Sequence, residues 1–150
     1  MTISTTIIKN SYDGDGAQLT FGYNFKVLNQ ADIEVIIRAA NGTETVKTIS
    51  NDYTVTGVGE PTGGNVVLLS APTATEKVIV RRATTQTQPL DLVENDPFSA
   101  ESVEEAFDRA IAINQELQEA VDRSLKISRT NTMSSTEFTV DSANRANKVL

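Results

Sequence analysis

The chain has 150 residues, 39% of them hydrophobic and 22% charged, and carries a formal net charge of -7. It has no Cys and no His, which excludes disulfides, thiolate or imidazole metal sites and His-based catalytic triads. The acidic balance opposes nucleic-acid backbones and anionic membrane surfaces, and no apolar run approaches the ~18 residues needed to span a bilayer. With aromatic residues at 5% and no Trp, a core must rest on Val, Ile, Leu and Ala, in an amount suited to one ordinary domain.

Met1 to Lys9 lacks the basic start and small-residue cleavage site of a signal peptide, so the Asn41-Gly42-Thr43 sequon reads as a turn. From there to about Ala83 the chain is rich in Thr, Val, Ile and Gly, with turn residues at regular spacing, which predicts an all-β segment. Leu19, Phe21, Tyr23 and Phe25 alternate with Thr20, Gly22 and Asn24. Ile33, Val35 and Ile37 continue the period of two in a second strand. Asn41-Gly42 predicts a type I′ hairpin, with Val46 to Ile49 as the return strand. Asn51-Asp52 turns the chain into Tyr53 to Thr56, Gly57 to Gly64 is a loop, Val66 to Leu69 is an apolar run, and Lys77 to Ala83 is the last strand. The expected core is Leu19, Phe21, Tyr23, Ile33, Val35, Tyr53, Val67 and Val80.

Thr84 to Asp96 is a polar crossing, held extended near Gln88 by Pro89 and acidic at Asp91, Glu94 and Asp96. From Pro97 to about Ser128 the pattern is helical, roughly 45 Å at the standard rise, with Asp96 or Ser99 as cap. Acids gather at its start and bases at its end, and Glu105/Arg109, Glu119/Arg123 and Asp122/Lys126 are spaced i,i+4. Val103, Ala106, Ala110, Ile113, Leu117, Ala120 and Ile127 fall on the two seam positions of a seven-residue repeat, flanked by Phe107 and Val121. Two packings suit a stripe this wide. It lies on the β-domain, or its upper part does so while the rest pairs with copies of itself. The fold class is therefore α+β: a small antiparallel β-sandwich or open barrel followed by a long C-terminal helix whose apolar stripe suits self-association. Its parts are residues 1–96, 97–128 and a Ser/Thr/Asn-rich linker at 129–150.

Catalytic and cofactor chemistry finds little support in the residues. Asp13-Gly14-Asp15-Gly16 fails as a calcium loop, because Ala17 and Asn24 stand where ligands are needed. Gly57 to Gly64 lacks the Lys-Ser/Thr ending of a phosphate loop. Asp91, Glu94 and Asp96 supply carboxylates but sit where a helix start favours acids anyway. Arg81 and Arg82 end a strand on opposite faces, and one is expected to pair with the acidic crossing. The residues thus give a non-enzymatic β-domain bearing a helix with a self-association stripe, with no cofactor or metal.

An ordered series of short motifs carries a family resemblance. Tyr12-Asp13-Gly14-Asp15-Gly16 leads to Leu19-Thr20-Phe21, Tyr23-Asn24-Phe25 and Asp32-Ile33-Glu34-Val35. Asn51-Asp52-Tyr53-Thr54-Val55, Gly63-Gly64, Ala71-Pro72 and Val78-Ile79-Val80-Arg81-Arg82 follow. Thr87-Gln88 and Glu94-Asn95-Asp96-Pro97-Phe98 then run into Glu105-Ala106-Phe107-Asp108-Arg109. Over about Met1 to Gln115 the chain resembles the N-terminal virion-attaching domain of tail fibres and tailspikes from short-tailed, T7-like bacteriophages. The resemblance implies a structural homotrimer in the virion tail. It implies docking on the tail's adaptor and nozzle proteins, and a distal fibre segment or separate distal fibre protein that meets the host. Thr85, Gln86, Gln88, Asp91 and Glu94 in the crossing are the expected docking residues. Neither nucleic acid nor membrane is an expected partner. Two alternatives stand beside it: a tailspike anchor whose glycan depolymerase lies beyond Leu150, and a stand-alone carbohydrate-binding β-sandwich.

Overall fold

The computed structural model describes residues 2–94, 97, 99–126 and 129–130. Its elements in chain order are β1 (Lys9–Asp13), β2 (Thr20–Tyr23), β3 (Ile33–Arg38), β4 (Glu44–Val46), β5 (Tyr53–Thr56), β6 (Gly64–Leu68), β7 (Lys77–Arg82) and α1 (Ala100–Asp122). The strands form two antiparallel sheets, ordered β1-β7-β3-β4 and β2-β6-β5. The expected α+β composition, antiparallel strands followed by one helix, is what the chain adopts.

Period-two alternation fixes which side of each strand is apolar, and the two sheets bury those sides in one shared cluster. β3 contributes Ile33, Val35 and Ile37, β7 Val78 and Val80, β2 Phe21 and Tyr23, β6 Val66 and Leu68, and β5 Tyr53; Phe25 and Val27 follow β2 into the same core. Tyrosine hydroxyls tie the sheets together across this core. Tyr53 donates to the Ile33 carbonyl oxygen at 2.8 Å, and Tyr12, its ring 5.5 Å from Phe21, donates to the Gly22 carbonyl oxygen at 2.6 Å. Burial raises the Tyr53 phenol above its ordinary value, with the charges of Glu34 and Asp52 adding to the shift. Gly63 is needed for its shape, with φ at +83° and a position where a Cβ would stand 2.0 Å from the Tyr23 carbonyl oxygen.

Several expectations need correction. Leu19 is 40% exposed and precedes the strand, giving only its carbonyl to Leu68. Val67 is half-buried while Val66 and Leu68 face the core. The unbroken run Val66 to Leu69 has no alternation to reveal its facing; pairing does, because Val66 lies opposite the inward Phe21. β1 has no strand signal of its own, since Lys9-Asn10-Ser11-Tyr12-Asp13 carries only Tyr12 as an apolar residue. The hairpin after β3 is not type I′: Gly42 has φ of +86°, Asn41 does not share it, and the Asn41 side chain instead accepts from the Thr43 amide at 3.0 Å. The return strand is Glu44–Val46, and Ile49 makes only an isolated bridge to Tyr53.

The helix has 23 residues, about 35 Å at the standard rise, and is shorter than the expected Pro97 to Ser128. Ser99 is the cap, its hydroxyl accepting from the Ser102 amide at 3.3 Å. At the other end the Ser124 hydroxyl donates to the Val121 carbonyl oxygen at 2.6 Å, past the last helical residue. Asp96, Ile127 and residues 131–150 lie outside the described residues.

Candidate interaction faces of the helix

The helix meets the β-domain through polar side chains. Asp108, Ala112, Gln115, Glu116 and Glu119 recur at helical spacing and so share one face. Lys26 Nζ sits 2.7 Å from Asp108 Oδ2, with both side chains at most 10% exposed, and Asp108 Oδ1 also accepts from the Ile3 amide at 2.9 Å. Arg82, 1% exposed at the end of β7, donates to Glu116 at 3.0 Å, to Gln115 at 2.6 Å and to the Lys26 carbonyl oxygen at 3.2 Å. Glu116 in turn accepts from the Thr84 amide at 2.9 Å and from its hydroxyl at 2.7 Å. Lys9 and Glu119 pair at 2.7 Å; the Lys9 ammonium, with Arg123 beside it, holds the Glu119 carboxyl below the usual glutamate range.

Two backbone segments flank this face. The chain before β1 runs along one side, where Gln115 Nε2 donates to the Thr5 carbonyl oxygen at 2.9 Å. On the other side Arg109 donates to the Thr85 carbonyl oxygen at 3.2 Å, and the Thr85 amide donates to Asp32 Oδ1 at 3.1 Å. Asp32 is 2% exposed, and its Oδ2 has no hydrogen-bond partner among the described residues.

The apolar stripe therefore points away from the β-domain. Val103, Ala110, Leu117 and Val121 lie on the side of the cylinder opposite Asp108, Ala112 and Glu119, and Phe107 lies beside them. Phe107 is 68% exposed, Leu117 49% and Val121 51%. Ala110 and Ala120 are exposed, while Val103, Ala106 and Ile113 are half-buried, Ala106 bordering Pro89 and Leu90 of the crossing. The most outward line is thus Phe107, Ala110, Asn114, Leu117 and Val121, with the half-buried Val103 at its start, one flank over from the seam read in the sequence. All seven acids of α1 lie off this line, on the inward half or its margins, with Glu104 and Asp122 nearest to it on one side.

The candidate docking residues Thr85, Gln86, Gln88, Asp91 and Glu94 are all exposed, and Thr85 is fixed through its backbone to Asp32 and Arg109. Among the described residues the arginines do not pair with the acidic crossing: Arg81 meets Glu34 on the neighbouring strand at 3.3 Å, and Arg82 meets Glu116. The inward facing of Arg82 was signalled by parity, since it follows Val78 and Val80 at spacing two. Nothing in the sequence singled out Lys26, Asp108 or Gln115 as its neighbours.

No family model matches the chain. A tail spike protein of Salmonella phage epsilon15 is 35% identical to it over 118 residues, 79% of this chain and 11% of that protein. The chain is a phage tail protein. Its place is the virion tail, and it spans about a ninth of the length of the tail spike it matches. None of the described helices is long and apolar enough to cross a membrane.

Proposed function

We propose that the chain is the trimeric attachment domain of a podophage tail fibre or tail spike. In this reading the two sheets form a small sandwich that holds the fibre to the adaptor and nozzle proteins of the tail, and no catalytic step belongs to residues 1–150. The observation that carries it is the outward apolar line of α1. Isolated surface hydrophobes are ordinary, but Val103, Phe107, Ala110, Leu117 and Val121 form one strip at heptad spacing, broken only at Asn114. A chain of net charge -7 meets its own copy most readily where acids are kept away, and the strip has Ala106, Ile113 and Ala120 on one flank and Ile111 and Gln118 on the other, with Glu104 and Asp122 beyond them. The length of the epsilon15 tail spike supports a distal part that carries the host-facing work.

The test is Leu117→Asp against Gln118→Asp, read by sedimentation at neutral pH. Three carboxylates at Leu117 would crowd one apolar axis, where desolvation and mutual repulsion oppose assembly. A carboxylate at 118 stays on the flank, within reach of water. Wild type and the 118 variant should sediment as trimers and the 117 variant as a monomer. A trimeric Leu117→Asp chain, or a monomeric wild type, overturns the reading.

A further inference from the structure

The outer face of the four-stranded sheet carries a charge pattern that the fold does not need. Pairing register sets its rows: Lys9, Arg81 and Glu34; then Ser11, Ile79, Ile36 and Val46; then Asp13, Lys77, Arg38 and Glu44. Lys9 stands directly opposite Arg81, and Lys77 directly opposite Arg38. Like charges so placed are destabilising, and this face has two such pairs in a chain that is acidic overall. Ion pairs relieve three of the four cations, through Glu119, Glu34 and Asp13. The side chain of Arg38, exposed beside the hairpin between Lys77 and Glu44, makes no ion pair or hydrogen bond among the described residues. Between the charged rows Ile36 and Ile79 are half-buried and Val46 is 57% exposed. Ile36, Ile79, Lys9, Arg81 and Arg38 line a cleft of ≈ 340 Å³, with Glu119 and Arg123 of α1 as one wall and Glu44 at the edge beside Arg38; Lys77 and Val46 border it from outside.

We infer that this face is a docking surface for an extended acidic segment of a protein partner, with carboxylates at positions i and i+4 and an apolar side chain at i+2. The charged rows are four residues apart along the strands, about 13 Å, which is the separation of i and i+4 in an extended chain. One carboxylate meets Arg38 and Lys77, the other meets Arg81 and Lys9, and the apolar side chain enters between Ile36 and Ile79. The arrangement follows the pattern of functional sites, where a local rule of stability is broken. Calling the partner a tail component rests on the attachment reading above; the surface itself does not.

The probe is a fluorescein-labelled Gly-Glu-Thr-Leu-Thr-Glu-Gly peptide, titrated by anisotropy into the full chain beside a copy with Gln for both Glu. The Glu peptide should bind at least about tenfold more tightly, the worth of one charge-assisted hydrogen bond. Arg38→Thr should remove most of that difference while leaving the melting temperature within about 2 °C of wild type or above it, since it relieves the repulsion with Lys77. Equal binding of the two peptides, an unchanged affinity in Arg38→Thr, or a fall in its melting temperature by more than that margin overturns the inference. So does heparin binding as tightly as the peptide with the same dependence on Arg38, because the face would then read charge alone. Attachment of wild-type chain to fibreless particles is scored separately. Its failure counts against the attachment reading and leaves the peptide result to judge the surface.

Discussion

Glu116→Ala tests whether buried charge holds the helix to the β-domain. The substitution leaves Arg82, 1% exposed, without its carboxylate, and strips the Thr84 amide and hydroxyl of their acceptor. Removing one partner of a buried ion pair costs about 3–5 kcal/mol. Arg82 keeps Gln115 at 2.6 Å and the Lys26 carbonyl at 3.2 Å, which places the expected loss near the lower end. Ala is a better helix former than Glu by at most a few tenths of a kcal/mol, too little to offset it. A loss of about 3 kcal/mol corresponds to roughly 6–12 °C in melting temperature for a chain of this size. Urea denaturation followed by circular dichroism gives the number directly. Asp122→Ala is the control, because its ion pair with Lys126 is about half exposed on each side, open to solvent screening, and its loss should leave stability nearly unchanged. Replacing both Arg82 and Glu116 by Met should cost less than Glu116→Ala alone, since no charge is then stranded. A Glu116→Ala loss below about 1 kcal/mol would falsify the electrostatic docking, because Arg82 would have to be hydrated in place.

Two further outcomes follow from the same geometry. The Glu119 carboxyl is held below its ordinary range by Lys9 and Arg123, so its contribution is present above the unfolded glutamate value and is lost as pH falls through the depressed one. Lys9→Met should therefore lower stability at neutral pH and flatten its decline as pH falls below the ordinary glutamate value, and a parallel decline in both proteins counts against the pair. Val66→Ala should destabilise by about 2–4 kcal/mol and Val67→Ala by clearly less, since Val66 is fully buried and Val67 is not; the reverse order in chemical denaturation would show the β6 facing to be wrong by one residue.

What the sequence disclosed and what it hid follow from the range of each signal. Alternation is local, so Phe21, Tyr23, Ile33, Val35 and Val80 could be assigned to the core from their neighbours alone. The facing of Val66 depends on a strand more than forty residues earlier and could not. β1 is a strand because β7 offers it a ladder, not because its own residues prefer one. The helix stripe was visible at once, being a repeat within one segment. Its direction was not, because that is decided by Lys26, Arg82 and Lys9, which come from three distant parts of the chain.

That direction is what gives the helix two separable roles. An amphipathic helix beside a sheet ordinarily turns its apolar side inward, where burial is worth roughly 25 cal/mol per Å². Here the inward side carries Asp108, Glu116 and Glu119, each matched to a cation of the β-domain, and the apolar strip faces outward. The two buried pairs, Lys26–Asp108 and Arg82–Glu116, add little net stability over an apolar contact of the same size, but stranding either charge is costly, and that opposes any other rotation or register of the helix. An apolar inward face would have let α1 roll, and with it the strip that the proposed trimer uses. Fixing the roll by charge leaves the outward residues free to serve assembly alone. It also predicts that stability of the single chain and self-association are separable: inward substitutions such as Glu116→Ala act on the first, and outward ones such as Leu117→Asp on the second. A Leu117→Asp chain that sedimented as a monomer yet also lost several kcal/mol in the melting of its β-domain would refute that separation, because the strip would then be holding the sheets as well.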